Sequence, residues 1–217
     1  MNTVNAKMQA NRKIKGAGRP KSKEKRDSIL HAAAELLLAH GYAGTSMEAV
    51  AKESGVSKQT VYSHFTNKDA LYNAIIENKC DEYQIEISSF DIQTHSLEDI
   101  LTLIGVRFVQ LLTDENVISM YKLVIGESKQ DTHVGSLFHE AGPVHSVNIV
   151  ADLLTKHPSS ALPFDKAREL SGDFFNLLKG DFHMRSILHL PYDLDTQATQ
   201  LHAEKVAKKT VGLIPFL

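Results

Sequence analysis

Apolar residues recur every three or four positions along most of the chain, and no strand-like alternation competes with that period. Ile29, Leu30, Ala33, Leu36 and Leu37 mark a first helix, and Gly41 stands where a left-handed C-terminal cap is wanted. Thr45 followed by Glu48 reads as a capping box that opens a short helix with Met47, Val50 and Ala51 on one face. Gly55 ends it. Ser57 suits the cap of another short helix running to about Phe65, and Asn67 the cap of a longer one carrying Leu71, Tyr72, Ile75, Ile76, Tyr83 and Ile87. Beyond Ser88 the helices lengthen, with spans expected at 97–112, 116–127, 132–156, 164–189 and 196–213. A kink is expected at Gly142-Pro143, and Pro158, Pro163 and Pro191 fall in the gaps. The expected fold is all-α.

One stretch departs from the usual division into a core face and a solvated face. Between Ser57 and Phe65 only Val61 and Phe65 are placed for burial, while Lys58, Gln59, Tyr62 and Ser63 share the outer surface with Ser57, Thr60 and His64 alongside. Ala51, Gly55 and Val61 have the spacing of a helix-turn-helix: a small residue at the crossing, a glycine in the turn and an apolar anchor in the second helix. Lys and Gln side chains at the front of such a helix carry donors and acceptors suited to base edges in the major groove. The polar helix is therefore expected to read double-stranded DNA.

Charge sharpens this. The net charge is −2, yet residues 1–80 hold 13 Lys and Arg against 7 Asp and Glu, and the remainder holds 11 against 19. A basic first third on an acidic remainder points to contact with a polyanion at the N-terminal part alone. Through Arg26 the chain carries nine basic residues and one acid, Glu24, and Gly18-Arg19-Pro20 looks like the core of an arm that inserts Arg19 into the minor groove. The expected organisation is a basic flexible arm (1–21), a three-helix helix-turn-helix DNA-binding domain (22–70) and a larger helical domain for effector binding and dimerisation (71–217).

The segment Thr45 to Leu71, "TSMEAVAKESGVSKQTVYSHFTNKDAL", closely resembles the DNA-binding segment of TetR/AcrR-type transcriptional regulators. The resemblance rests on the Thr-Val-Tyr-x-His-Phe run followed by Asn-Lys-Asp-x-Leu, and it reaches over about residues 24–80. It implies base contacts from Lys58, Gln59 and Thr60, and phosphate contacts from Thr45, Ser57, Tyr62, His64 and Lys68, with Ser63 on the same face. "LVIGES", "EAGP" and "LLKGD" in the C-terminal part resemble the AefR-like branch of these regulators. That implies a homodimer formed by the last two helices, a palindromic operator and a pocket for a small-molecule effector that releases a repressor from DNA. The rival expectations are a nonspecific architectural DNA-binding protein, and a ligand carrier or enzyme with a vestigial DNA-binding segment.

Candidate pocket residues are Arg107, as a partner for an anionic effector, and Phe108, Met120, Tyr121, Phe138 and Phe175 as walls. In the helix near 164–189, Leu170, Phe174, Leu177, Leu178 and Met184 form one apolar side, Phe175 and Phe182 a second, and Gly172 and Gly180 allow close approach of another helix. Eleven histidines raise the question of metal, but His133, His139 and His145 are spaced to scatter around a helix, and "HEAGPVH" lacks the zinc-hydrolase spacing. No metal or cofactor is expected. Cys80, the single cysteine, allows no internal disulfide and reads as an ordinary helix residue. The basic start has no apolar segment after it and no run is long enough to span a bilayer, so a cytoplasmic protein without membrane contact is expected. Nucleophile-elbow, phosphate-loop and dinucleotide motifs are lacking, and catalysis is not expected.

Overall fold

The computed structural model describes residues 22–83, 92 and 94–217, and the arm with Arg19 lies outside them. Among the described residues ten α-helices follow in order: α1 (Lys23–Gly44), α2 (Met47–Glu53), α3 (Lys58–His64), α4 (Lys68–Tyr83), α5 (Leu97–Thr113), α6 (Glu115–Ser128), α7 (Thr132–His139), α8 (His145–Lys156), α9 (Phe164–Ile187) and α10 (Thr196–Leu213). There is no strand among the described residues. The expected continuation of α4 to Ile87 also falls outside them. The single helix expected over 132–156 is divided by a π-helical turn, Glu140–Val144, which contains Pro143. Proline has no N–H for the helical ladder, and the wider turn accommodates it.

Short caps start α2, α3 and α4. Ser57 receives the Thr60 N–H at 3.1 Å, and Asn67 receives that of Ala70 at 2.8 Å. The cap of α2 is Ser46, whose hydroxyl accepts from the Ala49 N–H at 3.1 Å, one residue after the expected Thr45. Thr45 is instead buried, with its hydroxyl donating to the Gly41 carbonyl at 2.8 Å. Gly55, at φ +68°, ends α2 with a pair of bonds: Val56 N–H to Ala51 C=O at 3.1 Å and Gly55 N–H to Lys52 C=O at 3.3 Å. That pairing is a Schellman motif, and it turns the chain into α3.

Two cores result. Ile29, Ala33, Leu37, Val50, Val61, Phe65, Leu71 and Tyr72 pack together, and Met120 and Val124 of α6 and Val134 of α7 join the same cluster. The second core gathers α5, α8, α9 and α10 around Leu101, Leu154, Phe174 and Leu178. In α9 the two apolar sides divide differently from expectation. Leu170, Phe174, Phe175, Leu178 and Phe182 are all buried, and Leu177 and Met184 are exposed. Part of the reason is a break at Gly180, where φ is +49° and the helix changes register. Gly172, expected to admit a neighbouring helix, instead has open space where a Cβ would stand.

Candidate nucleic-acid interface and ligand cavity

Packing sets the outer face of α3. Val61 and Phe65 are buried, and Lys58, Gln59, Tyr62 and Ser63 are exposed, with Ser57 exposed at the cap. Thr60 and His64 are half-buried at the edges. Ser57 and Thr60 share a hydroxyl–hydroxyl bond of 2.8 Å, and the Ser63 hydroxyl donates to the Thr60 carbonyl at 2.7 Å. These bonds hold the short helix together and leave Gln59 and Tyr62 to face outward. The Lys58 ammonium pairs with Glu48 of α2 and lies 5.8 Å from the Tyr62 ring centroid. The hydrogen bond between them lowers the Glu48 carboxyl and raises the Lys58 ammonium from their ordinary values.

Thr45 and Lys68, both expected at phosphates, are less open than the outer face of α3. Thr45 is buried and its hydroxyl is engaged, so its neighbour Ser46 presents the exposed hydroxyl at that corner. Lys68 is half-buried with its ammonium 4.1 Å from the Tyr42 ring centroid, and burial pushes its pKa down despite Asp69 and Glu127 nearby.

The same corner carries a group of side chains that periodicity did not single out. The Glu127 carboxylate, at the end of α6, accepts from the Tyr42 backbone N–H at 2.9 Å. Gly41, at φ +72°, leaves room for it, because a Cβ there would collide with that carboxylate. The Tyr42 hydroxyl donates to Asp69 of α4, and Asp69 also faces His133 Nε2 of α7 at 3.0 Å. The bond from Tyr42 holds the Asp69 carboxyl below its usual range. One sequence signal existed: Glu127 is an acid in the last turn of a helix that has no basic residue there, where the helix dipole disfavours it. Such a placement calls for a donor from elsewhere.

Behind this corner a cavity of about 910 Å³ runs between α1, α4, α5, α6 and α9. That is within the range of small-molecule sites. Phe108, Met120, Tyr121, Phe138 and Phe175 line it, as expected for pocket walls. Arg107 does not: it is exposed, and its guanidinium donates to Gln110 at 3.3 Å. Its neighbours Val106 and Phe108 are half-buried, but one residue along a helix rotates a side chain by about 100°, which carries Arg107 out to solvent. Cys80 also faces the cavity, and burial pushes its thiol up to about 11, so it is no ready thiolate. No cluster of metal-ligating side chains and no helix able to cross a membrane occurs among the described residues.

Residues 29–75 match the family model of bacterial regulatory proteins of the tetR family, and residues 99–211 match the C-terminal domain of AefR-like transcriptional repressors. The chain is 36% identical over 69 residues to the HTH-type transcriptional repressor ComR of Escherichia coli (strain K12), covering 32% of each protein. It is 38% identical over 58 residues to the HTH-type transcriptional activator FasR of Mycolicibacterium smegmatis, covering 27% of this chain and 26% of that one. The match thus spans about a third or less of the length of these curated relatives. The solved structure of the flavonoid-responsive regulator FrrA superposes with a TM-score of 0.66 at 26% identity, covering 88% of this chain and 97% of that one.

Proposed function

We propose, from the premise that this chain belongs to the TetR family of transcriptional regulators and is a DNA-binding regulator rather than an enzyme, that it is a homodimeric one-component repressor. In this reading it binds a palindromic operator through α3, and a small molecule in the cavity releases it. Residues 22–70 form the DNA-binding unit and 71–217 the effector and dimerisation unit, with the arm of residues 1–21, Arg19 included, approaching the minor groove. Lys58, Gln59 and Thr60 approach bases, while Ser57, Tyr62, Ser63, His64 and Lys68 stand near phosphates. The observation that carries the reading is the outer face of α3, polar and exposed over a buried Val61 and Phe65.

Dimerisation is supported by an apolar surface that this subunit leaves uncovered: Leu177, Met184 and Leu188 on α9 and after it, and Leu201 on α10, are all exposed. Exposed apolar side chains on the last two helices suit contact with a second subunit. Release is supported by continuity. Met120 and Tyr121 of α6 line the cavity, and Glu127 at the end of the same helix grips Tyr42. A ligand that displaces α6 therefore moves the end of α1 and the start of α4. Two recognition helices on one duplex must stand about 34–36 Å apart, so a small change loses one half-site. Such couplings are typically about 1–3 kcal/mol. The resemblance to a flavonoid-responsive regulator favours a ligand-controlled protein.

Footprinting on operator fragments recovered from genomic DNA tests the architecture. Two protected segments about one helical turn apart are expected. Leu201→Glu with Met184→Glu should give a monomer in sedimentation and lose the paired footprint. An unchanged dimer and footprint in that variant would exclude this interface.

A further inference from the structure

The cavity wall carries three Lys or Arg side chains among the described residues, and their surroundings differ. Lys79 is paired twice, with Glu82 at 2.8 Å and Asp114 at 2.9 Å. Arg168 is exposed and donates to Asn148 at 3.3 Å. Lys179 is half-buried, and its ammonium reaches only the amide oxygen of Asn176, at 3.4 Å. That is long for a charge-assisted bond, and no ion pair is formed by Lys179 among the described residues. Burial pushes the lysine's pKa down. One turn further along α9, the Nδ1 of His183 is buried without a hydrogen-bond partner among the described residues, and its ring packs 4.9 Å from that of Tyr121 on the cavity wall.

A cation withdrawn from water without a counter-charge is costly to the protein. A ligand that brings the counter-charge removes that cost as it binds. Around this polar end the wall is apolar and aromatic. Phe108 and Phe175 stack edge-on at 4.7 Å, and Tyr121 and Phe138 at 5.0 Å. Of the acids of the wall, Asp27 and Glu35 belong to α1 and Glu82 of α4 is paired with Lys79, and none stands on the α9 stripe that holds Asn176 and Lys179.

We infer that the cavity takes an amphipathic carboxylate, its anionic head at Lys179 and its apolar body against Phe108, Phe138, Phe175 and Met120. The inference rests on the reading of this cavity as the effector site. One ammonium beside one amide suits a single negative charge, whereas a phosphate dianion calls for a cluster of cations or a guanidinium fork.

Four probes of equal chain length separate the possibilities: decanoate, decanol, decylamine and decyl phosphate, titrated calorimetrically into the full-length protein. Decanoate should bind about tenfold or more tighter than decanol, decylamine weakest, and decyl phosphate no tighter than decanoate. In Lys179→Met the ratio of decanoate to decanol affinity should collapse towards one, and Lys179→Arg should retain the preference. A ratio taken within one variant is insensitive to partial loss of folded protein. Gly172→Phe, which fills the open space beside α9, should exclude decanol and decanoate alike. Decanol binding that is blocked by Gly172→Phe, without a preference for decanoate, overturns the carboxylate assignment and leaves the cavity as the effector site. A preference that survives Lys179→Met, or tighter binding of decyl phosphate, also overturns it. Failure of every probe to bind, or indifference to Gly172→Phe, overturns the cavity reading together with this inference.

Discussion

The Asp114 carboxylate accepts the Tyr83 hydroxyl at 2.8 Å and the Lys79 ammonium at 2.9 Å, while its other oxygen caps α6 through the Asn116 N–H at 2.8 Å. One half-buried side chain thus joins the end of α4, the end of α5 and the start of α6. Burial alone would raise its pKa, but the bonds from Lys79, Tyr83 and the Val117 N–H outweigh it and hold the carboxyl below the usual range. A depressed carboxyl contributes stability above its unfolded value, about 3.9, which is lost as pH falls through the lower folded value. Asp114→Asn keeps a capping oxygen and loses the charge, and should cost about 1–3 kcal/mol at neutral pH. In thermal melts the gap between wild type and variant should narrow below about pH 4, where protonation removes in the wild type what the substitution already removed. A gap that stays constant down to pH 2 would show that the ion pair contributes nothing. Asp114 was legible only as a helix boundary, because its partners Lys79 and Tyr83 come from another helix. The burial of Val61 and the exposure of Gln59 and Tyr62 were legible, since both follow from the period of one helix. Thr45 and Ser46 are adjacent hydroxyls, either able to cap, and geometry alone chose Ser46.

Among the elements, α6 and α7 matter for more than packing. They complete the first core through Met120, Val124 and Val134, and they hold α1 and α4 by polar contacts from Glu127 and His133. This joint was not legible. Gly41 announced a left-handed turn, but nothing local said that a carboxylate some 85 positions away would occupy the space beside it. The break of α9 at Gly180 was equally hidden, because glycine inside an amphipathic helix is often tolerated. A double-mutant cycle measures the joint. Gly41→Ala should cost the strain of a backbone region essentially reserved to glycine, φ +72° and ψ 177°, about 1–3 kcal/mol, plus the displacement of Glu127. In the Glu127→Ala background the second part is already gone, so the cost of Gly41→Ala should fall to the strain alone. The coupling in chemical denaturation should lie within about 0.5–3 kcal/mol. Strict additivity would mean that Glu127 and the end of α1 do not support each other.

At the scale of the whole molecule, a helix-turn-helix at the N-terminal end and a larger helical remainder were legible from charge asymmetry and from one short motif. The cavity walls were legible as aromatic residues at helical spacing. Their polar end was not, since Arg107 and Lys179 are both cations in apolar helices, and only the fold shows which one faces inward. What unites these parts is the proposal that α3 reads sequence. The most direct measurement is a binding-site selection from random duplex DNA, run side by side with the full-length protein and with Gln59→Ala. Gln59 is exposed on α3 and carries no bond that holds the fold, so the variant should remain folded and bind. Wild type should enrich an inverted repeat whose half-sites lie about one turn apart. Gln59→Ala should enrich the same repeat with preference relaxed at one position in each half-site, at a cost of about 1–3 kcal/mol. An identical motif from both proteins, or no motif from either, would contradict the assignment of α3 as the reading helix.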